Sequence, residues 1–539
     1  MHLSTDPDIW TRILQFFRIS LVDYLKPCQE SAAAERSLNK QTLLSVALTC
    51  SSLLNPALSE LWRSLSTLEY ATKVYDTPTD SESGSSGFAF KYEEEGGYWT
   101  FNVATDQKEA LAPRLRSYLR RIHCLRFEEF PNSREYTLWT ILLVLSGSGS
   151  QGHLCPNLKG LFLLLKNVSP TMIYHLSPLI SLSIESLDID HVDEVENEKS
   201  TIVLLNLIRG HGTTSLRGLT YHGTSPSIFE EASHFHSLRK LNIKTYIKAN
   251  PSLFKAPDIE SLQCLRHLTR LSLDIRSFSW DAIEAARRWL GSLETLSELM
   301  LDGQWENIEH CVFKGITFHH IHHLRLFLTS PVGADLFFLL SLAFPALQLL
   351  GIQAQWDIRA DSSLEFQLSD LMGLKARPMK KIALVNLPLH VSSGDIAILL
   401  TTWPLLEHIT LLPDKAVRSG FVLDATFVLA QASRLGTRLK LLLLPLDFAS
   451  LMATPTTSLP PAHSPLQQLI LFIPNTVIPE SLNEKQALVV KLLTLFPRLG
   501  NIDIISLGKH ASNDLQSILD GFHQLLSSPP RRHERLFLN

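Results

Sequence analysis

The apolar positions of this chain fall into a recurring three-point figure: one apolar residue, a second three places on, and a third two places after that. It is plainest in Leu158-x-x-Leu161-x-Leu163, Leu268-x-x-Leu271-x-Leu273, Leu296-x-x-Leu299-x-Leu301 and Leu347-x-x-Leu350-x-Ile352. Fourteen copies run from Ile122 to Ile504 at a mean spacing of about 29 residues. The last two points are two residues apart, so they share one face of a short strand, and the first turns inward just ahead of it. Between copies the spacing becomes helical, as in Asp281–Leu290, Ala334–Leu342 and Glu484–Leu495. Several of these stretches run up to a proline ahead of the next strand: Cys155-Pro156, Phe344-Pro345, Trp403-Pro404 and Phe496-Pro497. Proline offers no amide hydrogen and disfavours helix in the residue before it. A strand-plus-helix unit cannot bury its apolar face alone, so such units must stack on their neighbours.

This figure resembles the leucine-rich-repeat pattern. It predicts an α/β fold in which residues 111–539 form a solenoid of strand-helix repeats with a curved parallel sheet. At 539 residues the chain exceeds the roughly 250–300 that one compact core usually reaches. A repeat stack has no such ceiling. Hydrophobic residues make up 45% and charged ones 19%, which argues against disorder over most of the length. Lys and Arg number 49 against 53 Asp and Glu, so there is no basic surplus to call for nucleic acid or a membrane surface. The six cysteines include no C-x-x-C pair, which fits a reducing compartment better than a disulfide framework or a zinc site. With no signal peptide and no transmembrane segment in the sequence, an intracellular protein of the cytoplasm or nucleus is expected.

Ahead of the repeats come three apolar runs at helical spacing. In the first, Asp6 can cap the free amides, Pro7 suits the first helical position, and Ile9 with Ile13, and Trp10 with Leu14 and Phe17, form stripes. Residues 18–41 read as a long, irregular and more polar insertion with room for a helical turn of its own. A second helix is predicted over Thr42–Cys50 and a third, opened by Asn55-Pro56, over Ala57–Leu65. The motifs Asp6-Pro7-x-Ile9-x-x-x-Ile13-Leu14-x-x-Phe17, Leu44-x-x-Ala47-Leu48-x-Cys50 and Leu58-x-x-Leu61-Trp62-Arg63 together resemble the three helices of an F-box, in the form common in fungi. Asp6 stands where leucine is usual in that motif.

The resemblance implies a three-helix F-box over residues 1–66, a linker over 67–110 and the repeats beyond. It also implies a function: a substrate-receptor subunit of an SCF-type cullin-RING ubiquitin ligase. Such a subunit binds the S-phase kinase-associated adaptor protein, and through it the cullin scaffold, while the repeats hold a protein target. The adaptor contact would fall on Pro7, Ile9, Ile13, Leu14, Leu44, Leu48, Leu58 and Trp62, whose apolar stripes are too large for three short helices to hide. The alternative is a stand-alone protein-binding scaffold or inhibitor whose first helices only cap the array.

Candidate chemistry is sparse. Gly147-x-Gly149-x-x-Gly152 follows a helical run and precedes a strand, the reverse of what a dinucleotide fingerprint needs. His319-His320-Ile321-His322-His323 puts two histidines on one side of an extended segment, without a third ligand in view. No H-E-x-x-H, P-loop or G-x-S-x-G stands in a suitable context, so no catalysis, no cofactor and no metal is expected. Thr77–Gly87 is a flexible Gly/Ser tract, Glu93–Gly97 an acidic one, and Thr454–Pro465 a second insertion. Leu111–Arg121 reads as a basic helix leading into the first repeat strand.

Residues beside the apolar strand points face the opposite, open side of the sheet. Arg126, Lys240, Arg270, Arg325 and Lys381 lie there, against Asp188, Glu298 and Asp503, and the position just past each figure adds four acids (Glu128, Asp190, Asp274, Asp302) and one base, Lys244. Bases gather towards strand starts and acids towards strand ends. A target of mixed charge straddling residues 238–385, held by Lys240, Arg270, Arg325 and Lys381, is the expectation.

Overall fold

A computed structural model describes residues 30–49, 51–74, 90–93, 98–101, 105–127, 133–146, 153–166, 168–191, 196–212, 215–245, 253–355, 366–413, 423–459, 464–473, 481–506 and 518–520. The chain divides into two units, Met1–Leu268 and Thr269–Asn539.

In the first unit, short strands β1 (Ser64–Leu65), β4 (Cys124–Phe127), β5 (Gly160–Leu165), β6 (Ser186–His191), β7 (Gly218–His222) and β8 (Lys240–Lys244) pair in that order, each parallel to the next. The middle points of the apolar figure stand directly opposite one another, Leu65 against Leu125, then Leu161, Leu187, Leu219 and Leu241. A separate antiparallel hairpin joins β2 (Phe90–Glu93) to β3 (Tyr98–Phe101).

The second unit repeats the arrangement with β9 (Arg270–Asp274), β10 (Glu298–Gly303), β11 (His323–Leu328) and β12 (Leu349–Ala354). It continues through β14 (Lys381–Leu387), β16 (His408–Pro413), β18 (Leu441–Asp447), β19 (Gln468–Ile473) and β20 (Asn501–Ser506). Again all are parallel, and one row runs from Leu271 on β9 to Ile502 on β20. Two-residue strands β13 (Phe366–Gln367) and β15 (Leu389–His390) pair with each other, and β17 (Leu423–Asp424) pairs with β18. A bulge interrupts β14 between Val385 and Leu387, where Asn386 takes φ 57°, a region asparagine enters more readily than most side chains.

The apolar figure is the core of each unit. Its members are buried, none more than 2% exposed, wherever the burial is described, which leaves out Leu471 and Ile504, and a fully buried leucine of this kind contributes about 1.5–3 kcal/mol. A second regularity lies in the backbone. The carbonyl two places before each middle point accepts both leading amides of the following strand: Lys159 takes Glu185 and Ser186, Gln348 takes Lys380 and Lys381, Lys380 takes Glu407 and His408, all at 2.7–3.1 Å. Strand starts are thereby locked in step along each sheet.

Arg63 follows the same rule, its carbonyl accepting from His123 and Cys124 at 2.9 Å. The repeats therefore begin at Trp62-x-x-Leu65, within the segment assigned from sequence to the helical domain. The predicted third helix is corrected accordingly: it runs Ser51–Leu61, starting ahead of Asn55-Pro56 and stopping two residues short of β1. Of the insertion expected over 18–41, residues 30–41 belong to one continuous helix, Glu30–Thr49, and residues 18–29 lie outside the described residues. Within the linker expected over 67–110, Phe90–Glu93 is a hairpin strand. The Trp99 indole donates to the Arg134 carbonyl at 2.8 Å, the Arg134 guanidinium lies 4.5 Å from the Tyr92 ring, and Arg134 also reaches Glu69 at 2.9 Å. The basic helix spans Thr105–Leu119 and the run before the glycines Ser133–Leu145. Gly147, Gly149 and Gly152 themselves lie outside the described residues. No helix among the described residues is long and apolar enough to cross a membrane.

Candidate functional site

The helices Glu30–Thr49 and Ser51–Leu61 meet through Leu43, Ala47 and Ala57, with Val46 and Leu61 at the margin. Residues four apart share a helix face, so burying Leu43 and Ala47 turns the adjacent pair outward. Leu44 is 52% exposed and Leu48 79%, and Leu54 on the second helix is exposed as well. Leu58 is half-buried. Trp62 is committed within the chain, its ring 4.6 Å from that of Tyr118. The Arg121 guanidinium ties the second helix to the first repeat through the Asn55 carbonyl (3.1 Å) and side-chain oxygen (2.9 Å). Pro7, Ile9, Ile13 and Leu14 lie outside the described residues.

The four cations predicted to hold a target divide between the units. Lys240 is exposed at the start of β8 in the first. In the second, Arg270 is neutralised by its neighbour on β10: its Nη2 lies 3.0 Å from Glu298 Oε1, and His323 Nδ1 is 3.3 Å from the same oxygen. Beyond the strand ends, Arg276 hydrogen-bonds the buried carboxylate of Asp274 and lies 3.5 Å from Asp302. The hydrogen bond to Asp274 raises the Arg276 pKa further.

From β11 onward the picture changes. Arg325 is exposed and Lys381 half-buried, and among the described residues neither makes a hydrogen bond or ion pair. Burial, then the charge of Arg325, hold the Lys381 pKa below its ordinary value. His408 stands opposite Lys381 on β16. Burial, then the charge of Lys381, push its pKa down, and its Nδ1 is buried without a partner among the described residues. Gly351 on β12 pairs with Arg325 on one side and Ala383 on the other, while Leu349, two residues earlier, is the β12 partner of Lys381. Thus from β9 to β14 the charge on this unit's face also sorts strand by strand, acids on β9 and β10 and unneutralised cations on β11 and β14.

In the first unit the matching row carries Arg126, Phe162, Asp188, Thr220 and Asn242. The Arg126 guanidinium sits 4.6 Å from the Phe162 ring, and His222 Nδ1 lies 3.4 Å from Asp190. Sequence reasoning did not single out Phe162, His222, Gly351 or His408, because it scored only formal charge. Each shares a register position with a residue it did name.

The histidine run forms no constellation: the His322 ring bonds the Ala346 carbonyl at 3.0 Å and His323 turns to Glu298. No group of three or more His, Cys, Asp or Glu among the described residues could hold a metal ion. Burial pushes the thiols up, Cys124 to about 11 and Cys311 to about 12. Both stay protonated at neutral pH, which removes them as nucleophiles.

No family model matches the chain, and no curated protein does. Among solved structures, the leucine-rich repeat-containing protein LegL7 from Legionella pneumophila is similar at 14% identity, over 49% of this chain and 83% of that one, with a TM-score of 0.28.

Proposed function

We propose that this chain is a non-catalytic, repeat-built receptor for a protein target. Specifically, it would serve as the substrate-receptor subunit of an SCF-type ubiquitin ligase, with the S-phase kinase-associated adaptor protein and a cullin as partners. The observation that carries the reading is the outward pair Leu44 and Leu48, more than half exposed on a helix whose other face is already packed. Apolar side chains displayed together in this way mark a surface for a partner. They belong to the segment whose motifs resemble an F-box. The receptor would contribute proximity and orientation, with bond-making left to its partner enzymes.

The test uses the full chain carrying Leu44→Asp and Leu48→Asp, mixed with purified adaptor and cullin. Wild type should co-elute with both. The double variant should lose the adaptor while keeping its melting temperature, because neither side chain packs in the core. Adaptor retained by the variant, or ignored by wild type, would sink the assignment.

A second reading rests on Trp62 against Tyr118 and on Asn55 held by Arg121. These contacts suit a cap that seals the first repeat of a stand-alone scaffold. A wild-type chain that ignores the adaptor would favour it.

A further inference from the structure

At β9 and β10 of the second unit the cations have acids within reach: Arg270 on β9 has Glu298, and Arg276, just past β9, has Asp274 and Asp302. On the next four strands, β11, β12, β14 and β16, no open-face position carries an acid. Those strands carry Arg325, Lys381 and two histidines. One of these, His323, is drawn back to Glu298, which leaves His408 beside Lys381. Arg325 and Lys381 are like charges that repel each other, and a structural role would have paired each with a carboxylate.

The floor is low in the row beside Arg325, while the half-buried Leu349 adjoins Lys381. Gly351 has no side chain, and a Cβ there would come within 3.4 Å of Arg325 Cγ, while Ala383 and Thr410 beyond it are small. Lys381 pairs with Leu349, two residues ahead of Gly351, so it stands two strand spacings across and two residues along from Arg325, roughly 12 Å away, and both are long enough to converge on one group seated over Gly351. Arginine supplies a planar fork and lysine a compact point charge, a combination suited to an oxyanion. His408 Nδ1 adds a buried polar atom still lacking a hydrogen bond among the described residues.

We infer that Arg325 and Lys381, with His408 beside them and Gly351 beneath, form a cradle for one anionic side chain, phosphate or carboxylate, on an extended segment of the protein target. The cradle deepens the receptor reading by naming the chemistry of the target. It rests on the open face being the target surface and is independent of the adaptor.

The probes are three degenerate peptide libraries, identical except for a central phosphoserine, glutamate or serine, passed over the immobilised full-length chain. The phosphoserine or glutamate library should be retained about tenfold better than serine, a difference of about 1.4 kcal/mol. Which of the two is retained identifies the source of the anion. Arg325→Gln with Lys381→Gln should abolish the preference without lowering the melting temperature, and Lys240→Gln in the other unit should leave it intact. Serine retained as well as both anionic libraries, or a preference that survives the double substitution, overturns the cradle. Adaptor capture by the same double variant is read separately, so failure of the ligase assignment is distinguishable from failure of this site.

Discussion

Asp188 stands on β6 between Phe162 and Thr220 of the adjoining strands. Burial pushes its carboxyl up to about 6, Asp190 adds to the rise, and His222, Arg126 and Lys244 oppose it. The folded state therefore holds a proton that the unfolded chain, with a carboxyl near 3.8, has already released. Stability falls as pH rises through that window, from about 4 to about 6, and the loss is complete above it. Asp188→Asn should flatten the melting-temperature profile between those pH values and raise the melting temperature at pH 7. An unchanged slope would show that the group titrates normally. At this scale the sequence offered more than a charge census extracts. Arg270 and Glu298 both fall one place before a middle point, so aligned repeats already set them side by side. Summing charges over the face hid that pair and left Arg270 looking as available as Arg325.

At the scale of elements, strands were readable and helix limits were not. Leu271 and Ser272 are consecutive on β9 yet occupy opposite environments, one 2% exposed and the other half-buried on the open face. Leu271→Ala should cost about 2–5 kcal/mol through lost burial and a residual cavity, and Ser272→Ala under about 0.5 kcal/mol. Urea denaturation checks this: equal midpoints would mean the register is misplaced. The first strand escaped notice because its figure reads Trp62-x-x-Leu65-x-Thr67, with a polar third point. The start of the Glu30–Thr49 helix escaped because its Ala- and Glu-rich opening has high helix propensity but no apolar stripe. Propensity, not periodicity, was the signal there.

For the molecule as a whole, the stacking of repeats was legible from their period, since each unit's core is the figure itself laid side by side. The division after Leu268 was not legible, because it cuts through one copy, Leu268-x-x-Leu271-x-Leu273, without disturbing the spacing. The two-residue strand β1 also has a consequence for solubility. An exposed strand at the margin of a parallel sheet is a template on which other chains can add, and proteins blunt such margins by keeping the outermost strand very short or covered. With two residues, followed on its inner side by the longer β4, β1 is such a guard. Deleting residues 1–65 would bare Cys124–Phe127 and should drive self-association, visible as a rising mass in light scattering. The Leu44 and Leu48 double variant, with β1 intact, should keep the wild-type mass. The first 65 residues would then protect the repeats from their own copies, whatever else they bind.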